Sequence, residues 1–158
     1  MPEFRVTKFN PEFRTASGVY ARDEWTSVGD VGRTFDGEVF SRDDYNRTED
    51  VYVEAAQAFL GEAGITSLEV RGLENHRQAH LTVEDGDSIS IADAGGLIRK
   101  MLRQEFWCRL ESESAFVHVG QDYYMYVGVP HVCSNAEQVA KRLGLFVEPL
   151  PSPYRPVS

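Results

Sequence analysis

Several features that define other protein classes are scarce in this chain of 158 residues. It has two cysteines, Cys108 and Cys133, which predicts reduced thiols rather than a disulfide framework. No stretch approaches the roughly 20 apolar residues that a membrane-spanning helix needs. The N-terminal sequence MPEFRVTKFN is charged and lacks a signal-peptide core. These absences favour a cytoplasmic, globular protein.

Basic residues are also in short supply. The chain has 16 Lys and Arg against 25 Asp and Glu, which gives a net charge of −9. Nucleic acids and anionic membrane surfaces recruit concentrated Lys and Arg, so neither is an expected partner. An acidic surface would instead steer a basic protein partner toward it. The alternative is that the charge serves solubility alone, as it does in many cytosolic proteins.

No segment carries a catalytic or cofactor-binding signature. The sequence GDVG at residues 29–32 is neither a phosphate-binding loop nor a dinucleotide fingerprint. His76 and His80 have helical spacing, but Arg77 follows the first of them and the segment has no apolar helical stripe. Exposed loop histidines are therefore favoured over metal ligands. No catalytic residue, metal or cofactor is predicted, and enzymatic activity is the less favoured interpretation.

Four carboxylates lie along the first predicted helix: Asp43, Asp44, Glu49 and Asp50. The first two lie in its opening turn, where the helix dipole favours anions. A pair of carboxylates that performs acid–base chemistry needs a cleft and a set spacing, which this pattern does not supply. We therefore expect a solvated face that stabilises the start of the helix.

Hydrophobic periodicity predicts an α+β domain over residues 1–150, followed by a Pro-rich tail over residues 151–158 that is extended and poorly packed. The sheet is expected to be antiparallel or mixed, with about five to six strands and about three helices packed on one face. The helices are predicted at residues 42–63, 91–104 and 135–143. Strands are predicted at residues 3–9, 66–74, 145–150 and within the aromatic stretch 106–129, and residues 75–88 are predicted to form a loop.

Two serines are predicted to cap helices. Ser41 with Asp44 fits a capping box at the first helix, and Ser134 with Glu137 fits the same pattern at the third. Gly64 and Gly144 follow the ends of these two helices.

The aromatic stretch contains a predicted hairpin whose register tests one catalytic possibility. Pairing of Leu110 with Val117 places the apolar residues on one face and leaves a two-residue turn at 113–114. Side chains alternate with period two, so Cys108 and His118 then point to opposite faces of the sheet. A thiol–imidazole pair is therefore not expected, and Cys108 is predicted to be a buried core thiol.

The other face of this hairpin and the turn and strand after it are the candidate binding surface. Tyr, Trp and Arg dominate the energetic hot spots of protein interfaces. Two other possibilities stay open: both faces of the sheet are covered within the monomer, or a small-ligand pocket lies beside the sheet. The predicted partner-binding residues are Trp107, Arg109, Glu111, His118, Asp122, Tyr124 and Tyr126.

Four blocks of the chain carry a resemblance to known sequences: RVTKFNP, DEWTSVGDVG, GQDYYMYVG and GLFVEPLPSPY. Together they resemble small bacterial immunity proteins from polymorphic-toxin systems. The resemblance implies a single-domain cytoplasmic inhibitor that binds a cognate toxin and occludes its active site. This class has no shared catalytic residues to carry over.

The leading functional hypothesis is thus an acidic, immunity-like inhibitor that binds a protein, expected to be a basic toxin domain. The alternative is a small enzyme or small-ligand-binding domain with a pocket beside the sheet. A self-associating structural protein is a third possibility, and the sequence leaves the oligomeric state open.

Overall fold

A computed structural model describes residues 1–155 of the chain. Within these residues it contains three helices, a seven-stranded antiparallel sheet and a separate two-stranded hairpin. The predicted α+β class is confirmed, and the sheet has more strands than the five or six expected. The last three residues of the predicted tail, 156–158, lie outside the described part of the chain.

The strands of the large sheet have the order β5-β4-β6-β7-β8-β1-β9, and every neighbouring pair is antiparallel. The nine strands are β1 (Glu3–Thr7), β2 (Thr34–Phe35), β3 (Glu38–Val39), β4 (Ser67–Glu74), β5 (Ser88–Ser90), β6 (Trp107–Glu111), β7 (Phe116–Val119), β8 (Met125–Gly128) and β9 (Phe146–Glu148). The helices are α1 (Arg42–Glu62), α2 (Ile91–Leu102) and α3 (Ser134–Arg142).

Three of these strands were not anticipated. β5 begins at the end of the predicted loop 75–88 and has a single apolar residue, Ile89, which gives almost no periodic signal. β2 and β3 contain two residues each and form a hairpin outside the main sheet. Asp36 and Gly37 connect them, and both have positive φ, as Asp-Gly commonly does in tight hairpin turns.

The predicted capping box at the start of α1 is confirmed. The Ser41 hydroxyl accepts from the Asp44 backbone N–H, and the Asp44 carboxylate accepts from the Ser41 N–H. These two bonds satisfy backbone donors that have no partner inside the helix. At the other end of α1, Gly64 has a φ of +75°, as expected for a helix-terminating glycine.

The start of α3 differs from its prediction. The helix begins at Ser134, so this serine is not the cap, and no side chain of the preceding residue bonds the helix end. The Glu62 carboxylate, from the last turn of α1, instead accepts a 2.7 Å bond from the Ala136 N–H. The cap is thus supplied by another helix, a contact that no local pattern announces.

The apolar face of the sheet packs against the helices. Leu110, Val117 and Val127 are fully buried on three adjacent strands. The ring of Phe59 in α1 lies 5.7 Å from that of Phe4 in β1. Together with buried residues from α2 and α3, these side chains form one continuous core.

The aromatic hairpin has the predicted register. Arg109 lies opposite His118, and Leu110 lies opposite Val117. The Ser112 N–H donates to the Ala115 carbonyl, so the turn contains the two expected residues, 113–114. We call the face that carries Trp107, Arg109, Glu111, Phe116, His118 and Tyr126 the outer face, because it is turned away from the helices. Among residues 1–155, no helix is both long enough and apolar enough to cross a bilayer.

The two serines at helix starts make a matched test of the capping assignment. Replacing Ser41 with Ala removes one half of the capping box and should lower the free energy of unfolding by about 1 kcal/mol. Ser134→Ala removes no capping bond and should lower it by less than about 0.5 kcal/mol. Urea denaturation of both variants measures the difference. Equal losses would contradict the two assignments.

Candidate functional site

The outer face of the sheet is covered in part by the chain itself. Residues 151–155, which we call the C-terminal segment, lie over β6, β7, β8 and β1. Ser152 is 7% exposed, and the ring of Tyr154 lies 5.5 Å from that of Trp107 and 6.1 Å from that of Tyr126. The prediction of a poorly packed tail is therefore wrong for these residues.

A chain of hydrogen bonds through His118 holds the C-terminal segment on the outer face. His118 is fully buried, with Nε2 at 2.8 Å from Glu111 Oε2 and Nδ1 at 2.6 Å from Ser152 Oγ. An ionised carboxylate only accepts, so the network assigns the ring proton to Nε2. Nδ1 then accepts from the Ser152 hydroxyl, which itself accepts from the Tyr154 N–H.

Glu3 in β1 provides a second attachment. Its Oε1 accepts from the Ser152 N–H at 3.2 Å, and its Oε2 pairs with the Arg155 guanidinium at 2.8 Å. Arg155 also lies over the Phe116 ring, 5.7 Å from its centroid. Both ends of the segment are thus attached to the sheet through one carboxylate.

Five of the seven predicted partner-binding residues share the outer face, as expected. His118 lies between Arg109 on β6 and Tyr126 on β8 in the strand register. His118 is 0% exposed and Tyr126 is 8% exposed. The expectation that these two side chains offer free binding area is corrected, because the C-terminal segment covers them. Glu111 is occupied on both oxygens, by His118 and by Arg109 Nε at 3.1 Å.

The other two predicted residues, Tyr124 and Asp122, belong to the turn between β7 and β8. The Tyr124 hydroxyl accepts from Arg14 at 3.1 Å, and its ring lies 5.4 Å from that of Phe9. Tyr124 is therefore half-buried under the segment that follows β1. Asp122 is exposed, so it is the one of the seven that projects freely into solvent.

An open cleft of about 720 Å³ lies at the end of the sheet where β6 begins and β7 ends. We call it the end cleft. Trp107 and Tyr154 form its aromatic wall, and the buried side chain of Met101 from α2 lies at its base. Three carboxylates line it from three different segments: Glu74, Glu105 and Asp122. His76 and Arg77 also line it, and His76 Nε2 lies 3.9 Å from Glu74 Oε2.

The turn that presents Asp122 has a strained backbone. Asp122 and Tyr123 both have positive φ, at 59° and 68°, which is unusual for residues other than glycine. Tyr123 is held in place because its ring packs against Trp25 and its carbonyl accepts from the Tyr52 hydroxyl at 2.8 Å. The core therefore imposes the conformation that directs Asp122 outward.

The other two carboxylates are placed by irregularities in regular elements. The pairing of β4 with β6 shifts register before Glu74, which lies opposite Trp107. Gly72, with a φ of +64°, lies at this irregularity, and a Cβ there would approach the Arg109 guanidinium to 2.9 Å. Glu105 follows Gln104, which lies just after the cap of α2 and has a φ of +61°, in the position that glycine usually takes.

Three carboxylates against one arginine, Arg77, give the end cleft an acidic balance that suits a cationic group. Trp107 uses its indole N–H in a 2.7 Å bond to the Val119 carbonyl, which leaves the ring itself for contact. Aromatic faces and carboxylates both attract guanidinium and ammonium groups. His118 and Glu49, two groups whose pKa burial and neighbours shift, do not line this cleft.

Ser152, His118 and Glu111 are residue types found in hydrolase triads, but their arrangement is structural. Ser152 is buried, its hydroxyl oxygen already accepts from the Tyr154 N–H, and neither it nor His118 lines the end cleft. A nucleophile must be reachable by substrate. The network therefore anchors a chain segment.

The structure also shows where the predicted core thiol and the two possible metal ligands, His76 and His80, lie. Cys108 is fully buried on the helix side, and burial raises the pKa of its thiol to about 12, as expected for a core residue. Cys108 and Cys133 are both free thiols, as predicted. His76 and His80 are exposed, and residues 1–155 contain no cluster of three or more potential metal ligands.

The carboxylates of α1 differ from their prediction at one position. Glu49 is 1% exposed rather than solvated, and it bonds Arg103 at 2.7 Å and Arg99 at 3.2 Å. Its burial alone would raise the pKa of its carboxyl group, but the hydrogen bonds from the two arginines lower it below the ordinary value. Glu49 thus joins α1 to α2, and it does not line the end cleft.

Sequence reasoning missed Tyr154, Glu74 and Glu105 as site residues. Tyr154 carried a signal, since the flanking prolines stiffen an extended segment that can present an aromatic ring to a surface. Glu74 and Glu105 carried none, because their approach to Trp107 depends on the register shift in β4 and on the end of α2. Comparison of the chain with protein-family models, with curated proteins and with solved structures found no match.

The buried imidazole predicts a pH dependence of stability. Burial lowers the pKa of His118 below its ordinary value of 6.5, although Glu111 acts in the opposite direction. As the pH falls through 6.5, the imidazole of the unfolded chain binds a proton, whereas that of the folded protein stays neutral. The free energy of unfolding is therefore highest above pH 6.5 and decreases as the pH falls towards the lower pKa of the folded state.

Urea denaturation at about pH 7.5 and about pH 5.5 measures this loss. His118→Gln removes the titrating group and should reduce the difference between the two pH values, whatever its effect on stability at either one. The same loss in the variant and the wild type would show that His118 is not its source.

Proposed function

We propose that the protein is an acidic, stoichiometric inhibitor of the immunity type, which binds a basic protein partner through the end cleft and occludes it. The main observation behind this proposal is that an aromatic wall and three carboxylates line the same open cleft. A Lys or Arg side chain of the partner would lie against Trp107 and pair with the carboxylates. Such an inhibitor would act in the cytoplasm on a toxin domain before or after its transfer.

The charge of the whole chain supports a basic partner. A net charge of −9 attracts a positively charged protein over distances longer than a single contact and raises the association rate. Several carboxylates elsewhere are already paired with arginines, including Glu49 and Glu148. Glu105 and Asp122 have no such pairing among the described contacts, so they are available to the partner.

The rigidity of the cleft supports tight binding. The aromatic wall is fixed by the Trp107 indole bond and by packing of Tyr154, and Asp122 is fixed by the buried Tyr123. A preorganised site loses little conformational entropy on binding, so a few anchors can supply most of the affinity.

The volume of the cleft favours one alternative function. Sites for small molecules usually measure about 300–1,000 Å³ and are partly apolar, and the end cleft has a comparable size. A small cationic ligand would use the same aromatic wall and carboxylates. Native mass spectrometry of the purified protein would reveal such a ligand as a discrete added mass.

The test of the proposal compares two triple variants with the same change in net charge. The first neutralises the cleft through Glu74→Gln, Glu105→Gln and Asp122→Asn. The control neutralises three exposed carboxylates away from it through Glu38→Gln, Glu54→Gln and Asp43→Asn. A partner captured from the native host by the wild-type protein, and then purified, serves as the ligand in calorimetry.

We expect the cleft variant to bind about tenfold more weakly, since each ion pair contributes roughly 0.2–1 kcal/mol and 1.4 kcal/mol is a factor of ten. The control variant should bind nearly as tightly as the wild type, with a small loss from its lower net charge. Equal loss in the two variants would mean that net charge acts without the cleft. Normal binding by the cleft variant would refute the assignment of the site.

A further inference from the structure

Tyr154 belongs to two parts of the molecule at once. It is a residue of the C-terminal segment, and its ring forms part of the wall of the end cleft. The other principal lining residues, Trp107, Glu74, Glu105 and Asp122, come from regular strands, a helix end and a core-anchored turn. The shape of the cleft therefore depends on whether the C-terminal segment is docked.

The docking of Tyr154 relies on a bond two residues earlier in the chain. Ser152 Oγ accepts from the Tyr154 N–H at 3.1 Å, which fixes the turn that carries the ring. The same hydroxyl donates to His118 at 2.6 Å, so the turn is attached to the sheet at this point. Glu111 completes the attachment by accepting from the other ring nitrogen of His118.

The sheet leaves room for the Tyr154 ring at one particular residue. Gly120 follows β7, and a Cβ placed on it would lie 2.8 Å from Tyr154 Oη and 3.2 Å from Tyr154 Cε2. Its φ of −93° is accessible to any residue, so glycine is not required there by the backbone. Space for the tyrosine is the physical reason for a small residue at this position.

We propose that Ser152, His118 and Glu111 are positioning residues that latch the C-terminal segment as a strap, and that this strap completes the end cleft by bringing Tyr154 into its wall. Release of the strap would remove one aromatic face of the cleft and expose Phe116 and Tyr126 on the outer face. The part of this inference that concerns binding rests on the proposed function. The latch itself stands on the contacts alone.

The environment of His118 shows how the latch is built into the outer face, beside the separate attachment that Glu3 provides. The His118 ring stacks on Phe116 at 4.2 Å and meets Tyr154 edge-on at 6.3 Å. The charged and titratable groups that face it are Glu111 and Arg109 from β6, Tyr126 from β8, Glu3 from β1 and Tyr154 from the strap. Apart from Glu111, the polar partner of the ring is Ser152.

The test uses the two tryptophans of the chain as separate probes. Labelling with 5-fluorotryptophan gives one fluorine resonance from Trp107, beside the strap, and one from Trp25, which is 9% exposed in the core. A chain that ends at Leu150 provides the reference spectrum of the undocked state. Trp25 reports on folding in every variant.

Two variants release Tyr154 from opposite sides. Ser152→Ala removes the latch hydroxyl, and Gly120→Ala places a methyl group against the ring without changing the latch. Ser134→Ala is the matched control, since its exposed side chain lies at the start of α3, away from the outer face. Both release variants should move the Trp107 resonance at least halfway toward its position in the truncated chain and leave Trp25 unchanged.

An unchanged Trp107 resonance in both release variants would overturn the strap, as would an equal shift in Ser134→Ala. A titration with N-acetylarginine methylamide then tests the cleft in the same samples. We expect a saturable Trp107 shift in the wild type and at least severalfold weaker binding in Ser152→Ala. No response in the wild type would contradict the proposed cation site. It would not affect the conclusion on the strap, which depends on the Trp107 resonances recorded without N-acetylarginine methylamide.

Discussion

The hydrogen bonds of one buried imidazole hold the C-terminal segment over part of the outer face of the sheet. His118 is fully buried, and both of its ring nitrogens are paired, with Glu111 inside the sheet and with Ser152 from the C-terminal segment. A buried polar group without a partner costs about 1–3 kcal/mol. Because β7 places His118 on the outer face, the sheet needs a hydroxyl from elsewhere in the chain, and the segment supplies it together with the apolar cover of Tyr154.

A largely buried polar side chain also attaches the irregular segment that follows β1. Lys8 follows β1, and its ammonium group bonds the Trp25 carbonyl at 2.7 Å and Glu24 at 3.2 Å. Burial lowers the pKa of this amine to about 8, despite the nearby carboxylates. Lys8 ties residues 24–25 to the sheet, much as His118 ties residues 152–154. In both cases one enclosed polar side chain attaches a segment that has little regular structure.

Sequence patterns that span a few residues correctly predicted strand register and one helix cap. The register of β6 with β7 followed from alternation of Cys108, Leu110, Val117 and Val119, and the capping box followed from Ser41 and Asp44. The covering of part of the outer face could not be predicted, because the bond from Ser152 to His118 joins residues 34 positions apart. The cap of α3 by Glu62 joins residues 74 positions apart and was missed for the same reason. The candidate site was found only in part, since Trp107 and Asp122 remain accessible while His118 and Tyr126 are covered.

We propose the end cleft, rather than the part of the outer face that lies under the C-terminal segment, as the surface that meets a partner. Hydrogen–deuterium exchange of the protein, alone and with its purified partner, measures this directly. We expect slower exchange on binding in peptides that contain residues 104–107 and 120–122, with little change in α1 and α3. Protection confined to the helices, or to strand β9 at the opposite edge of the sheet, would contradict it.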